Sequence, residues 1–199
     1  TADQLRGALT EKSRLLILCS PSNPSGAVYS EKQLREIADV VREHPRLVVL
    51  SDEIYEYIVY GDTKHVSFAS LPGMFERTLT VNGFSKAYAM TGWRIGYAAG
   101  PEHLIAAMRK VQSQSTSNPC SISQWAAIEA LEGTQSFIRP NQALFKNRRD
   151  LVVKGLNACP GIECPVPEGA FYVYPSIAGC IGKTSAGGAE ITDDETFAT

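Results

Sequence analysis

The chain has 199 residues, 44% hydrophobic and 20% charged, the balance of a globular protein with room for one sizeable core and part of another. A formal net charge of −2 gives no bulk pull toward nucleic acid or an anionic membrane, and no apolar run approaches the roughly 20 residues that cross a bilayer. Five scattered cysteines without a Cys-x-x-Cys pair argue against a disulfide scaffold or a metal site, and read as reduced thiols of a cytoplasmic protein.

In chain order, a helix is expected from Asp3 to Leu9, then a doubly buried strand at Leu15–Cys19 that stops at Ser20-Pro21. Ser30 with Gln33 forms a capping-box pattern that opens a helix over Glu31–Glu43, with Leu34, Ile37, Ala38 and Val41 on one face. Leu47–Leu50, Thr78–Val81 and Arg94–Ala99 read as further strands. Strands alternating with a helix and short connections predict an α/β fold with a doubly wound, mostly parallel sheet. Helices follow from Pro101 to about Gln114, over Ile122–Leu131, and from beyond Gly133 through Leu156. Phe171–Tyr174 is expected to be a strand, Gly179–Gly188 a mobile loop, and Thr192 the cap of a last helix. His44, His65 and His103 read as ordinary surface or loop residues.

Two segments follow from this reading. Residues 1–135 form a large unit lacking its N-terminal part, and residues 136–199 a connecting helix and the beginning of a smaller C-terminal α+β unit. The chain opens without Met inside a helix and stops as another begins, so it reads as a fragment.

Ligands of α/β sheets gather beyond the carboxyl ends of the strands. Here those ends are followed by Asn23-Pro24-Ser25-Gly26, by Asp52-Glu53-Ile54-Tyr55 and by Ser85-Lys86. Taken singly these are a turn, a helix cap and a solvated lysine. Together with Gly92-Trp93-Arg94, eight residues from the lysine to the guanidinium, they put an amine, an anion and a phosphate-binding fork on one edge.

Ser20-Pro21-Ser22-Asn23-Pro24-Ser25-Gly26, Ser51-Asp52-Glu53-Ile54-Tyr55 and the run from Asn82 to Tyr97 closely resemble class I/II aminotransferases of the aspartate aminotransferase fold. Within that family the likeness is to the bacterial and plant type that transaminates aspartate, some members of which also accept prephenate. Gln112–Pro119 points the same way, less sharply. The resemblance implies pyridoxal 5′-phosphate held by Lys86 as a Schiff base, with the freed amine moving the substrate proton. It implies Asp52 on the pyridine nitrogen, Tyr55 and Asn23 on the ring O3′, and Arg94 on the phosphate. Ser85, beside the lysine, is a weaker candidate. The serine that many members carry just ahead of the lysine as a phosphate ligand is missing, since the chain reads Asn82-Gly83-Phe84 there.

The substrates implied are an amino acid and a 2-oxo acid, in a homodimer where Ser115–Pro119 approaches the partner's cofactor. The 199-residue piece alone is expected to turn over no amino acid. Other readings of the same residues are an aromatic aminotransferase, a lyase of the same fold, or the aminotransferase-like sensor domain of a transcription regulator.

Overall fold

The structure is a computed structural model and describes residues 1–198; Thr199, the end of the expected second segment, lies outside them. Helix α1 (Ala2–Ala8) is capped by Thr1, whose hydroxyl accepts from Gln4 N while the Gln4 side chain reaches back. Strand β1 (Leu15–Cys19) leads through a turn to α2 (Glu31–Glu43). The capping box opening α2 is formed in full. Gln33 N donates to Ser30 Oγ at 3.3 Å, and Ser30 N to Gln33 Oε1 at 2.9 Å. Such a cap stabilises a helix by about 1 kcal/mol.

Strands β2 (Val48–Asp52), β3 (Thr78–Gly83) and β4 (Gly96–Ala99) complete one sheet of order β1-β2-β3-β4. The first three are parallel and β4 is antiparallel to β3. Three strands therefore end at the edge where β4 begins. The remaining helices are α3 (Glu102–Ser113), α4 (Ser121–Glu132), α5 (Ile138–Asn157) and α6 (Asp194–Ala198).

The core lies between the sheet and α2. Leu34, Ile37, Ala38, Val40 and Val41 of the helix are buried. All but Val40 join Leu18 and Val49 of the strands in one cluster, with Leu47, Phe68, Leu71 and Met74 closing it. Each large aliphatic side chain taken out of water here contributes about 1.5–3 kcal/mol. Strand alternation sends Leu15 and Ile17 to the other face, where they stay exposed, so β1 is buried on one face and not on both as its apolar run predicts. On that face Ile105 and Met108 of α3 border a cleft with Val81 and Ala98, so helices flank both faces of the sheet. Among the described residues, no helix is long and apolar enough to cross a membrane.

Three further expectations about these elements are corrected. The strand expected from Arg94 begins only at Gly96: Arg94 has φ 50°, left-handed backbone that cannot join a ladder, and closes a 3-10 turn over Thr91–Trp93. Phe171–Tyr174 is not a strand. Ala170, just before it, has φ 55°, and the backbone at 168–170 bonds to loops instead of to a neighbouring strand. Gly179–Gly188 is a loop, as expected; it opens on a 3-10 turn at Ala178–Cys180 and bonds to its neighbours through Gly182 N to Ile191 O and Ile191 N to Lys183 O, both 2.8 Å. The last helix is capped by Asp193, whose carboxylate accepts from Thr196 N at 2.8 Å, and not by Thr192, whose hydroxyl turns to Asp193.

Candidate active site

Register sets the geometry of the carboxyl edge. Cys19 pairs with Asp52, Asp52 with Val81, and Gly83 with Gly96. The turn bearing Asn23, the last residue of β2, the Ser85-Lys86 step after β3 and the Arg94 turn before β4 thus all open on one rim. At that rim β3 and β4 meet as bare backbone. A Cβ on Gly83 would lie 3.0 Å from Gly96 Cα and 3.2 Å from Ile54 Cδ1. Neither glycine tolerates a side chain without a shift.

Asp52 is half-buried, and its Oδ1 accepts from Ile54 N at 3.2 Å while Oδ2 stays uncommitted among the described residues. Tyr55, 3% exposed, stands with its hydroxyl 2.5 Å from the Tyr172 hydroxyl. Its ring meets those of Phe171 and Tyr172 edge-on, with centroids 5.4 and 5.6 Å away. Burial pushes the Tyr55 phenol above its ordinary range, and the nearby Cys19 and Asp52 add to the shift. Lys86 Nζ lies 5.8 Å from the centre of the Tyr55 ring and 5.3 Å from that of Phe171. It makes no hydrogen bond or ion pair among the described residues. An amine half-buried over two aromatic rings has attraction from the rings but no committed polar partner.

The other candidates are placed less tightly. Asn23 is exposed on its turn, between the cis peptide bonds Ser20-Pro21 and Asn23-Pro24. The turn closes at Gly26, φ 68°, where a Cβ would sit 2.5 Å from Pro167 Cβ, so only glycine fits. Arg94 is exposed, and its Nη1 donates to Thr91 O at 2.9 Å. Ser85 is half-buried and makes no side-chain hydrogen bond among the described residues. The structure thus brings Lys86, Tyr55 and Asp52 together. Asn23 and Arg94 share their rim through topology, without a hydrogen bond to the other candidates.

Two features escaped the sequence reading. One is the pair Phe171 and Tyr172, whose only signal was the small dipeptide Gly169-Ala170 ahead of them. A Cβ on Gly169 would lie 2.7 Å from Pro21 Cβ, a close approach across more than a hundred residues of chain. The other is a buried carboxylate. Glu53, 3% exposed, accepts from Ser51 Oγ at 2.8 Å, Ser67 Oγ at 3.0 Å and Phe68 N at 3.1 Å through Oε1. Its Oε2 lies 3.0 Å from His65 Nε2. Burial alone would raise the Glu53 carboxyl, but its bonds to His65, Ser51 and Ser67 outweigh burial and hold it below the ordinary value. His65 therefore sits in a loop as expected but is not a surface residue; its Nδ1 is buried without a partner. This node ties the loop after Gly61 to β2 directly beneath Asp52 and Tyr55. Among the described residues, no group of three or more His, Cys, Asp or Glu is placed to hold a metal ion.

A family model described as aminotransferase class I and II matches residues 1–191. The chain is 57% identical over 200 residues to an aspartate/prephenate aminotransferase of Cereibacter sphaeroides, covering 100% of this chain and 50% of that protein. It is 53% identical over 198 residues to an aspartate aminotransferase of Rhizobium meliloti strain 1021, covering 99% and 48%. Among solved structures, the aspartate aminotransferase from Rhizobium meliloti superposes with a TM-score of 0.96 at 52% identity, covering 99% of this chain and 50% of that one. An aromatic aminotransferase from Pyrococcus horikoshii follows at 0.84 and 47% identity, covering 88% and 47%. The chain spans about half the length of the curated relatives it matches. A match running from the first residue to Ile191, with more than half the positions identical in these relatives, leaves no ambiguity of lineage: the chain belongs to the aminotransferase class I and II family.

Proposed function

We propose that the intact protein transfers an amino group from aspartate or glutamate to a 2-oxo acid, with this chain supplying most of the polar anchoring of the cofactor. The observation that carries the reading is the uncommitted amine of Lys86, held over the Tyr55 and Phe171 rings at the edge where β2 ends in Asp52. Members of this family generally use pyridoxal phosphate and are typically dimeric. When bound, that group supplies an electron sink for the bond broken beside the amino group.

The donor set fits such a group. Lys86 is free to hold the cofactor's carbonyl carbon covalently and, once displaced, to carry the proton to and from the substrate Cα. Asp52, with Oδ2 uncommitted, is an anion suited to keeping a proton on the ring nitrogen. Tyr55 and Asn23 are donors for the ring's phenolic oxygen. Arg94 keeps Nε and Nη2 for a phosphate, since only Nη1 is tied to Thr91 O. Ser85 adds a hydroxyl beside the lysine. Within this scheme residues 1–135 carry the cofactor edge, and residues 136–199 begin a smaller unit that packs back onto it.

The choice of amino donor is the finer question. Likeness to both aspartate and aromatic aminotransferases supports a shared cofactor half whose specificity is set elsewhere. Titrating the full-length, pyridoxal phosphate-loaded protein with amino acids tests the reading. Aspartate or glutamate is expected to shift its visible band and aromatic amino acids much less. A loaded protein whose band no amino acid moves would end the proposal. Asp52→Ala is expected to lower turnover by roughly a hundredfold or more while leaving the fold intact.

A further inference from the structure

Tyr172 belongs to no strand and carried no role in the sequence reading, yet it holds the only side-chain hydrogen bond made by Tyr55 among the described residues. Its own position is over-determined. Glu168 N and Gly169 N donate to Gly26 O at 3.1 and 2.8 Å, and Ala170 N donates to Ile58 O at 2.8 Å. Tyr60 Oη donates to Ala170 O. Phe171 stacks on Phe145 of α5, centroids 5.6 Å apart at 25°. The loop after β1, the loop after β2 and α5 thus clamp one short segment whose next two side chains face the site. Phe171 lies under the Lys86 amine, and Tyr172 meets the Tyr55 hydroxyl.

A phenol has one proton and two acceptor lone pairs. With two hydroxyl oxygens 2.5 Å apart, one proton lies between them and the other must point away. If Tyr172 donates, the Tyr55 proton is turned outward and its donation is strengthened by polarisation along the chain of bonds. We propose that Tyr172 is a positioning residue that donates to Tyr55, and so aims the Tyr55 proton at the phenolic oxygen of the bound cofactor. This rests on the pyridoxal phosphate reading above.

The test is a pH titration of the visible absorption band of the full-length, pyridoxal phosphate-loaded protein. A donor on the ring oxygen stabilises the form in which that oxygen bears charge, which is the deprotonated form, and so lowers the midpoint. Tyr172→Phe keeps the ring and its packing but removes the donor. It is expected to raise the midpoint by roughly 0.3 of a pH unit, less than Tyr55→Phe does, because polarisation is a fraction of a hydrogen bond. In a Tyr55→Phe background the same change is expected to have no further effect, since Tyr172 acts through Tyr55.

An unmoved midpoint in Tyr172→Phe, or an equal shift with Tyr55 already removed, would overturn the proposal while leaving the cofactor reading in place. Failure of Tyr172→Phe to load cofactor would mark the residue as structural and overturn it too. A wild-type protein that develops no visible band with pyridoxal phosphate would remove the cofactor reading and this inference with it.

Discussion

Helix α2 and the helices after Gly100 all carry large apolar residues, which end in different circumstances. On α2 every apolar position of the expected face is buried, with Ala38 and Val41 at 0% exposure in the cluster with the sheet and the Phe68–Met74 segment. On α3, α4 and α5 several large apolar residues stand out from the described chain, among them Val111 at 71%, Trp125 at 72% and Leu151 at 72%. Pattern alone therefore announces a helix but not what covers it. Within this chain the main buried cluster lies in the α2-backed sheet, while the proposed chemistry sits at that sheet's rim and leans on later segments, among them Pro167–Tyr172, α5 and Ser123 of α4, whose hydroxyl donates to Trp93 O at 2.8 Å.

The contrast can be broken in several places. The largest effect is expected at the rim, without loss of stability. Lys86→Ala should reduce transamination by the full-length protein at least roughly a thousandfold. Because Lys86 has no polar partner, its melting temperature should stay close to that of the unaltered protein; a large drop would move Lys86 from the chemistry to the scaffold.

Next comes the core. Leu34→Ala is expected to destabilise by about 3 kcal/mol, measured by denaturant unfolding of this chain. The node beneath the rim should be nearly as sensitive. Glu53→Gln keeps the shape but replaces a charged acceptor oxygen with an NH2 donor, for a loss of about 2 kcal/mol. Its pH dependence has a definite sign. A carboxyl held below its ordinary 4.5 contributes stability that is present above that value and lost as pH falls through the lowered one. Thermal melts taken downward from pH 4.5 should therefore fall less steeply in Glu53→Gln than in the unaltered chain. A steeper fall would contradict the hydrogen-bond account of Glu53. The smallest effect is expected on the exposed helices, where Leu151→Ala in this chain should change stability by no more than about 0.5 kcal/mol.

Much of the fold was legible in the chain because the signals were local. The α2 capping box, the apolar runs of β1 to β3 and the placement of Asn23, Asp52 and Lys86 after those runs all depend on residues within a few positions of one another. The failures had long-range causes. Arg94 was taken for a strand residue because nothing in Trp93-Arg94-Ile95 announces left-handed backbone. Phe171–Tyr174 has the aromatic and β-branched composition of a strand, but its neighbours satisfy their hydrogen bonds at Gly26 and Ile58, more than a hundred residues away. Glu53 carries no sequence mark of burial, since its four partners come from Ser51 and from His65 to Phe68 across a loop. The placement of the candidate residues at the strand ends was readable. The aromatic support around them was not, because packing partners distant in sequence leave no periodic trace.

The most direct probe of the central claim is chemical. Full-length protein loaded with pyridoxal phosphate, reduced with borohydride and digested, is expected to carry the retained cofactor on the peptide containing Lys86. A modification found on any other lysine, or none at all, would contradict the account.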